Sequence, residues 1–316
     1  MIKHSLNCLL KDDKSGSFKT ARLSSAPSLE KLRDIYFANV ESLKYIVKFC
    51  QEKEIKSLRV VSGLFPLASQ IDYRDKVLNL LDKVGKEYGK IDFSGVELSS
   101  HPDQFILLSS ANPNINANSR IDLELYAYMR KYIPWNLVNI HVGSAALGHE
   151  QHKKIFKEEF SRLSQEAKNI LSIENDEKSY GFLETLEVAM ENGCMVVPDF
   201  HHQRCFMKRI QDDGKGLSQE DHFKWNEEID ATIYENMDKI VSCYKHTTAT
   251  PTFHISSPIE GWGKNFKSHC MHADFIEPKD YPGKLPELSE KAGIDFRLDI
   301  EAKAKQDAIF KLENRS

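Results

Sequence analysis

Short, nearly continuous apolar runs recur along the chain, and the stretches between them repeat apolar residues every three or four positions. The runs predict strands at Ser57–Ser62, Ser94–Ser99, Asn136–Val142, Asn169–Glu174, Met195–Phe200, Pro251–Ile255 and Phe296–Glu301, with Ile2–Leu6 a weaker first member. The helical spacing is clearest in Leu29–Glu52, where Leu32, Ile35, Tyr36, Val40, Leu43, Ile46 and Val47 share one face. Similar segments, Asp72–Tyr88 and Lys153–Lys168, precede the next strands. Strands alternating with helices form right-handed βαβ units and hence a parallel sheet. Seven or eight such units fit a (β/α)₈ TIM barrel better than an open sheet. No linker or composition break divides residues 1–316, so a single domain is expected, with a flexible tail after about residue 306.

In such a barrel the C-terminal ends of the strands carry the chemistry. Here those ends read His101, His141, Glu174, Asp199 with His202, His254 and Glu301. Each alone is more often a structural histidine or a solvated acid than a ligand. Six strand ends delivering the same residue types to one face imply a shared site. With His272, eight donors exceed what one ion needs and suit a cluster of two or three divalent ions. Histidine and carboxylate together select Zn²⁺, Mn²⁺ or Fe²⁺, and no cysteine stands at these tips. Clustered ions favour phosphodiester hydrolysis; metal-dependent sugar isomerisation is the chief competitor. Glu174, Glu301 and His254 are the expected catalytic residues.

Composition narrows the setting. At 41% hydrophobic and 28% charged, the chain reads as an ordinary soluble protein. It has no apolar stretch long enough for a membrane span and no secretory signal pattern. The six cysteines form no CxxC pair, which points to reduced thiols in a cytoplasmic protein. A net charge of -4 argues against indiscriminate DNA binding but leaves room for a local basic surface.

Several segments carry a more specific signal: Leu64-Phe65-Pro66-Leu67-Ala68-Ser69, His101-Pro102-Asp103-Gln104-Phe105, Ile140-His141-Val142-Gly143, Ile173-Glu174-Asn175-Asp176-Glu177, Pro198-Asp199-Phe200-His201-His202, His254-Ile255-Ser256, His272-Ala273-Asp274 and Ile300-Glu301-Ala302-Lys303. In this order they resemble the UV damage endonucleases, relatives of endonuclease IV and of the xylose-isomerase-like barrels. The resemblance implies an endonuclease that cuts damaged double-stranded DNA 5′ to pyrimidine dimers and 6-4 photoproducts with a manganese-type cluster. It assigns metal roles to His101, His141, Glu174, Asp199, His202, His254, His272 and Glu301, and makes His201 a non-ligand neighbour. Gln104 and Phe105 match a wedge pushed into the duplex at the lesion. Three positions depart from the pattern. Thr252 stands where many relatives have lysine, Gln70 where some have histidine, and Leu6 where the family has a probing tyrosine.

Lys264, Lys267, Lys279 and Lys284, and similarly Arg204 and Lys208, are candidate phosphate contacts, and Ser110–Arg120 is a candidate lining of the damage pocket. A monomeric, nucleoid-associated cytoplasmic enzyme is expected. The rivals are an apurinic-site endonuclease with the same metals, a sugar isomerase, and a non-enzymatic damage-binding protein.

Overall fold

The strands are β1 (Ile2–Cys8), β2 (Ser57–Val60), β3 (Glu97–Ser100), β4 (Trp135–His141), β5 (Leu171–Glu174), β6 (Met195–Val197), β7 (Thr252–Ile255) and β8 (Phe296–Ile300), in a computed structural model that describes residues 1–211, 214 and 216–315. They form one parallel sheet in the order β6-β5-β4-β3-β2-β1-β8-β7. Helices connect successive strands, as the alternation of patterns requires. No ladder joins β6 to β7 among the described residues. One parallel bridge, Asp199 to His254, spans that seam, and the His254 N–H donates to Pro198 O at 3.0 Å. The expected (β/α)₈ barrel is therefore present, and it closes on two of the residues singled out for chemistry.

Strand residues alternate between the helices and the barrel axis. In β8, Phe296, Leu298 and Ile300 join the main apolar core, each such burial contributing about 1.5–3 kcal/mol. Arg297 and Asp299 are fully buried as well, but they pair with each other. Arg297 Nη2 also donates to Ser5 Oγ at 2.8 Å and to Ser99 Oγ at 2.6 Å. Beneath the strand tips, Arg297 thus ties Asp299, Ser5 and Ser99 into one buried polar layer.

Local chemistry moves several boundaries. The strand expected at Ser94–Ser99 begins only at Glu97, because Val96 N–H closes a turn onto Phe93 O and Gly95 adopts φ +76°. The Met195–Phe200 run stops at Val197, since Asp199 caps the helix Phe200–Ile210. Lys153–Lys168 is two helices, His149–Ser161 and Gln165–Lys168, the second restarted by Ser164 Oγ accepting from Ala167 N. The expected tail after residue 306 is the helix Gln306–Leu312, with Ala308 and Ile309 buried. No helix among the described residues is long and apolar enough to cross a membrane.

Candidate metal centre

His141 and Glu174 are the last residues of β4 and β5, and His254 lies within β7. His101 and Glu301 follow β3 and β8 directly. Asp199 follows β6 and caps the next helix: its Oδ1 accepts from His202 N at 2.7 Å, which sets His202 one turn into that helix. His272 comes from the long loop after β7 and is pinned by a bridge to Pro258.

These residues converge on Glu174, which is 1% exposed. Its Oε2 lies 3.0 Å from His101 Nε2 and also accepts from Asn139 Nδ2. Its Oε1 lies 3.1 Å from His254 Nδ1 and 3.3 Å from His202 Nδ1. Two donor trios result, His101–His141–Glu174 and Glu174–Asp199–His254, each with ligand atoms within 4.8 Å of one another. Glu174 belongs to both. Glu301 extends the cluster, 3.2 Å from His254 Nδ1 and 3.6 Å from His272 Nδ1, and pairs with Arg59.

The electrostatics are those of a site that attracts cations. Burial works against ionisation of Glu174, but His254, His101 and His202 outweigh it and hold the carboxyl well below its usual range. Burial likewise opposes charge on His254, yet Glu174, Asp299 and Glu301 push its pKa up to about 10. Burial pushes Asp199 up to about 6 and His141 down to about 4. Asp199 Oδ2 and His141 Nδ1 are buried with no hydrogen-bond partner. Leaving such atoms unsatisfied costs about 1–3 kcal/mol each. Orphaned donors of the right chemistry, aimed into one cluster, fit divalent metal ions.

The UV-endonuclease UvdE family model matches residues 5–315. The chain belongs to that family. The UV DNA damage endonuclease of Bacillus cereus strain B4264 is 28% identical over 302 residues, covering 94% of this chain and 86% of the relative. The crystal structure of SacUVDE superposes over 100% of both chains with TM-score 0.73 and 22% identity. Endonuclease IV from Thermus thermophilus shares the fold, with TM-score 0.52 and 11% identity over 99% of this chain and 97% of that one. The protein is thus a DNA repair endonuclease on a TIM-barrel scaffold.

Within this family frame, the other residues singled out by sequence divide clearly. Gln104 and Phe105 are exposed on the loop after β3, Phe105 to 73%. That loop is tied down by Ser62 Oγ on Asp103 and by Leu107 N–H on Ser119 Oγ. Ser110–Arg120 is ordered by its own polar side chains: Pro113 begins a helix, and Asn116 bonds both backbone groups of Ser110. Arg204 and Lys208 are buried and unavailable to phosphate. Arg204 forks onto Asp230, and Lys208 Nζ sits 4.2 Å from the Trp225 ring centroid and 4.9 Å from that of Trp262. Lys279 pairs with Glu220, whereas Lys264, Lys267 and Lys284 are exposed. His201 is fully buried, edge-on to His272. Thr252 spends its hydroxyl on Thr250 O, and Leu6 is core.

Sequence reasoning missed Asn139, Arg59 and Asp299, which hold Glu174, Glu301 and His254 respectively. The legible signal was a polar or charged residue inside an apolar strand, two positions from a tip in β4 and β8.

Proposed function

We propose that this protein nicks double-stranded DNA immediately 5′ to ultraviolet photoproducts, using two or three divalent ions, most naturally Mn²⁺, held by the eight donors around Glu174. The observation that carries the reading is the sharing of one buried carboxylate between two donor trios. His101, His141, His202 and His272 complete the ligand set with Asp199, and Glu174, Glu301 and His254 stand nearest the reaction. Bound ions would supply Lewis acidity for both oxygens of an in-line displacement at phosphorus and lower the pKa of attacking water. Asn139 holds Glu174 Oε2 and Arg59 holds Glu301, so the carboxylates keep their orientation. Gln104 and Phe105, exposed on a pinned loop, suit insertion where damaged bases have unstacked: the ring fills space and the amide meets vacated base edges.

The deciding experiment is nicking of a duplex carrying one thymine photodimer, with and without Mn²⁺, for the wild type and Glu174→Gln. Metal-dependent cleavage directly 5′ to the dimer, reduced at least 10²-fold in the variant, is the expected result. Cleavage only of an abasic duplex would transfer the site to apurinic DNA. Tight binding without any nick would leave a damage-binding protein.

A further inference from the structure

Beside the metal donors, between the ends of β1 and β8, lies a pocket of ≈ 390 Å³ whose lining includes Asn7, Arg59, His272, Glu301, Lys303 and Lys305. Three cationic side chains face it against one carboxylate, and that carboxylate is already paired with Arg59. The side chains of Lys303 and Lys305 make no hydrogen bond or ion pair among the described residues. Asn7 is 2% exposed, yet its Oδ1 has no partner, and neither does the buried Arg59 Nε. Two buried polar groups and two free ammonium groups therefore converge on one cavity.

The backbone around it is held in costly conformations. Lys305 adopts φ 55° and ψ -120°, and Cys8, next to Asn7, adopts φ 68°. Such conformations cost about 1–3 kcal/mol each for residues with a Cβ and persist only where the surroundings impose them. Gln306 supplies that constraint: its Oε1 accepts from Lys11 N at 2.9 Å and its Nε2 donates to Lys11 O at 3.3 Å. The loops after β1 and β8 are thereby clasped into one wall.

We infer that this pocket seats a phosphodiester of the DNA strand next to the one presented to the metal donors. Lys303 and Lys305 provide charge, Arg59 Nε–H donates, and the Asn7 carboxamide can turn its Nδ2 hydrogens to the same anion. Sharing His272 and Glu301 with the cluster fixes the register between seat and metals. The identity of the anion rests on the endonuclease reading, whereas the existence of an anion seat rests on these residues alone.

The test uses the metal-loaded full chain and its Lys303→Ala/Lys305→Ala variant, with Lys245→Ala, at the opposite end of the barrel before β7, as control. Binding of an undamaged duplex is followed by fluorescence anisotropy between about 50 and 200 mM salt. The slope of log K against log salt becomes shallower by about 0.9 per lost phosphate contact, so by about 0.9–1.8 in the double variant. Metal content stays at the wild-type value, and Lys245→Ala keeps the wild-type slope. On the photodimer duplex the double variant raises KM several-fold with little change in kcat, and Lys303→Arg/Lys305→Arg restores it. A wild-type slope and KM in the double variant, or an equal change in Lys245→Ala, overturns the seat. Inorganic phosphate that protects the wild type but not the double variant against heat, with no change in duplex slope, marks a small-anion site and overturns the DNA assignment. If the wild type nicks no damaged duplex but the slope still falls in the variant, the seat stands and the endonuclease reading fails.

Discussion

At His254 the two ring nitrogens face different partners: Nε2 lies 3.3 Å from Asp299 Oδ2, while Nδ1 faces Glu174, Asp199 and Glu301. Asp299, itself held by Arg297, orients the ring and leaves Nδ1 for an ion. Asp299→Asn should therefore lower metal affinity about 10–100-fold, read by titration with Mn²⁺, with the fold retained. The raised pKa of His254, up to about 10, has a consequence for pH. In the metal-free protein the group is charged in the folded state above the usual value of about 6.5. Its stabilisation is fully present below that pH and is lost as pH rises through about 10. Metal binding requires the neutral ring, so each ion displaces protons. The gap in melting temperature between loaded and metal-free protein should widen from pH 6 to pH 9; a constant gap would contradict this assignment of charge.

At the scale of elements, the strand tips are aimed by the loops that follow them. After β4, Gly143 adopts φ +123°, and a Cβ there would lie 2.4 Å from Ser109 Oγ. Gly143→Ala should destabilise the protein by about 2 kcal/mol or more, measured by urea unfolding, because steric overlap adds to strain beside His141. The loop after β3 depends on Ser110–Arg120 in a way composition did not suggest. The short polar side chains there bond the backbone, as Asn116 does to Ser110 and Ser119 to Leu107. Asn116→Ala should loosen the loop bearing Gln104 and Phe105. We expect a several-fold loss of preference for photodimer over undamaged duplex in competition binding, with metal content unchanged.

At the scale of the molecule, the barrel closes at its weakest seam through Asp199 and His254, both donors of the cluster. Divalent ions would join β3, β4, β5, β7 and the residues after β6 and β8 at one end. Removing metal with a chelator should lower the melting temperature by several degrees and restore it on adding Mn²⁺ back. Binding only to the folded state stabilises by mass action, and the effect grows with ion concentration. Absence of any metal-dependent shift would argue that the cluster does not hold ions.

The sequence by itself determined the barrel and pointed to the histidines and carboxylates gathered at one end of it. Apolar strands alternating with amphipathic helices leave few architectures, and a charged residue at the end of an apolar run stands out because burying it unpaired is costly. His101, His141, Glu174, Asp199, His202, His254 and Glu301 were legible for that reason, and the ordered segments around them marked the family. Only the tertiary structure decided which partners those donors have and which basic residues are free. Arg204 and Lys208 read as surface cations but are buried against Asp230 and between two tryptophans. Arg59, Asn139 and Asp299 gained meaning only when distant strands set them beside Glu301, Glu174 and His254. Periodicity reports the face a residue occupies, whereas pairing across the barrel axis depends on strand register and closure, which no local pattern encodes.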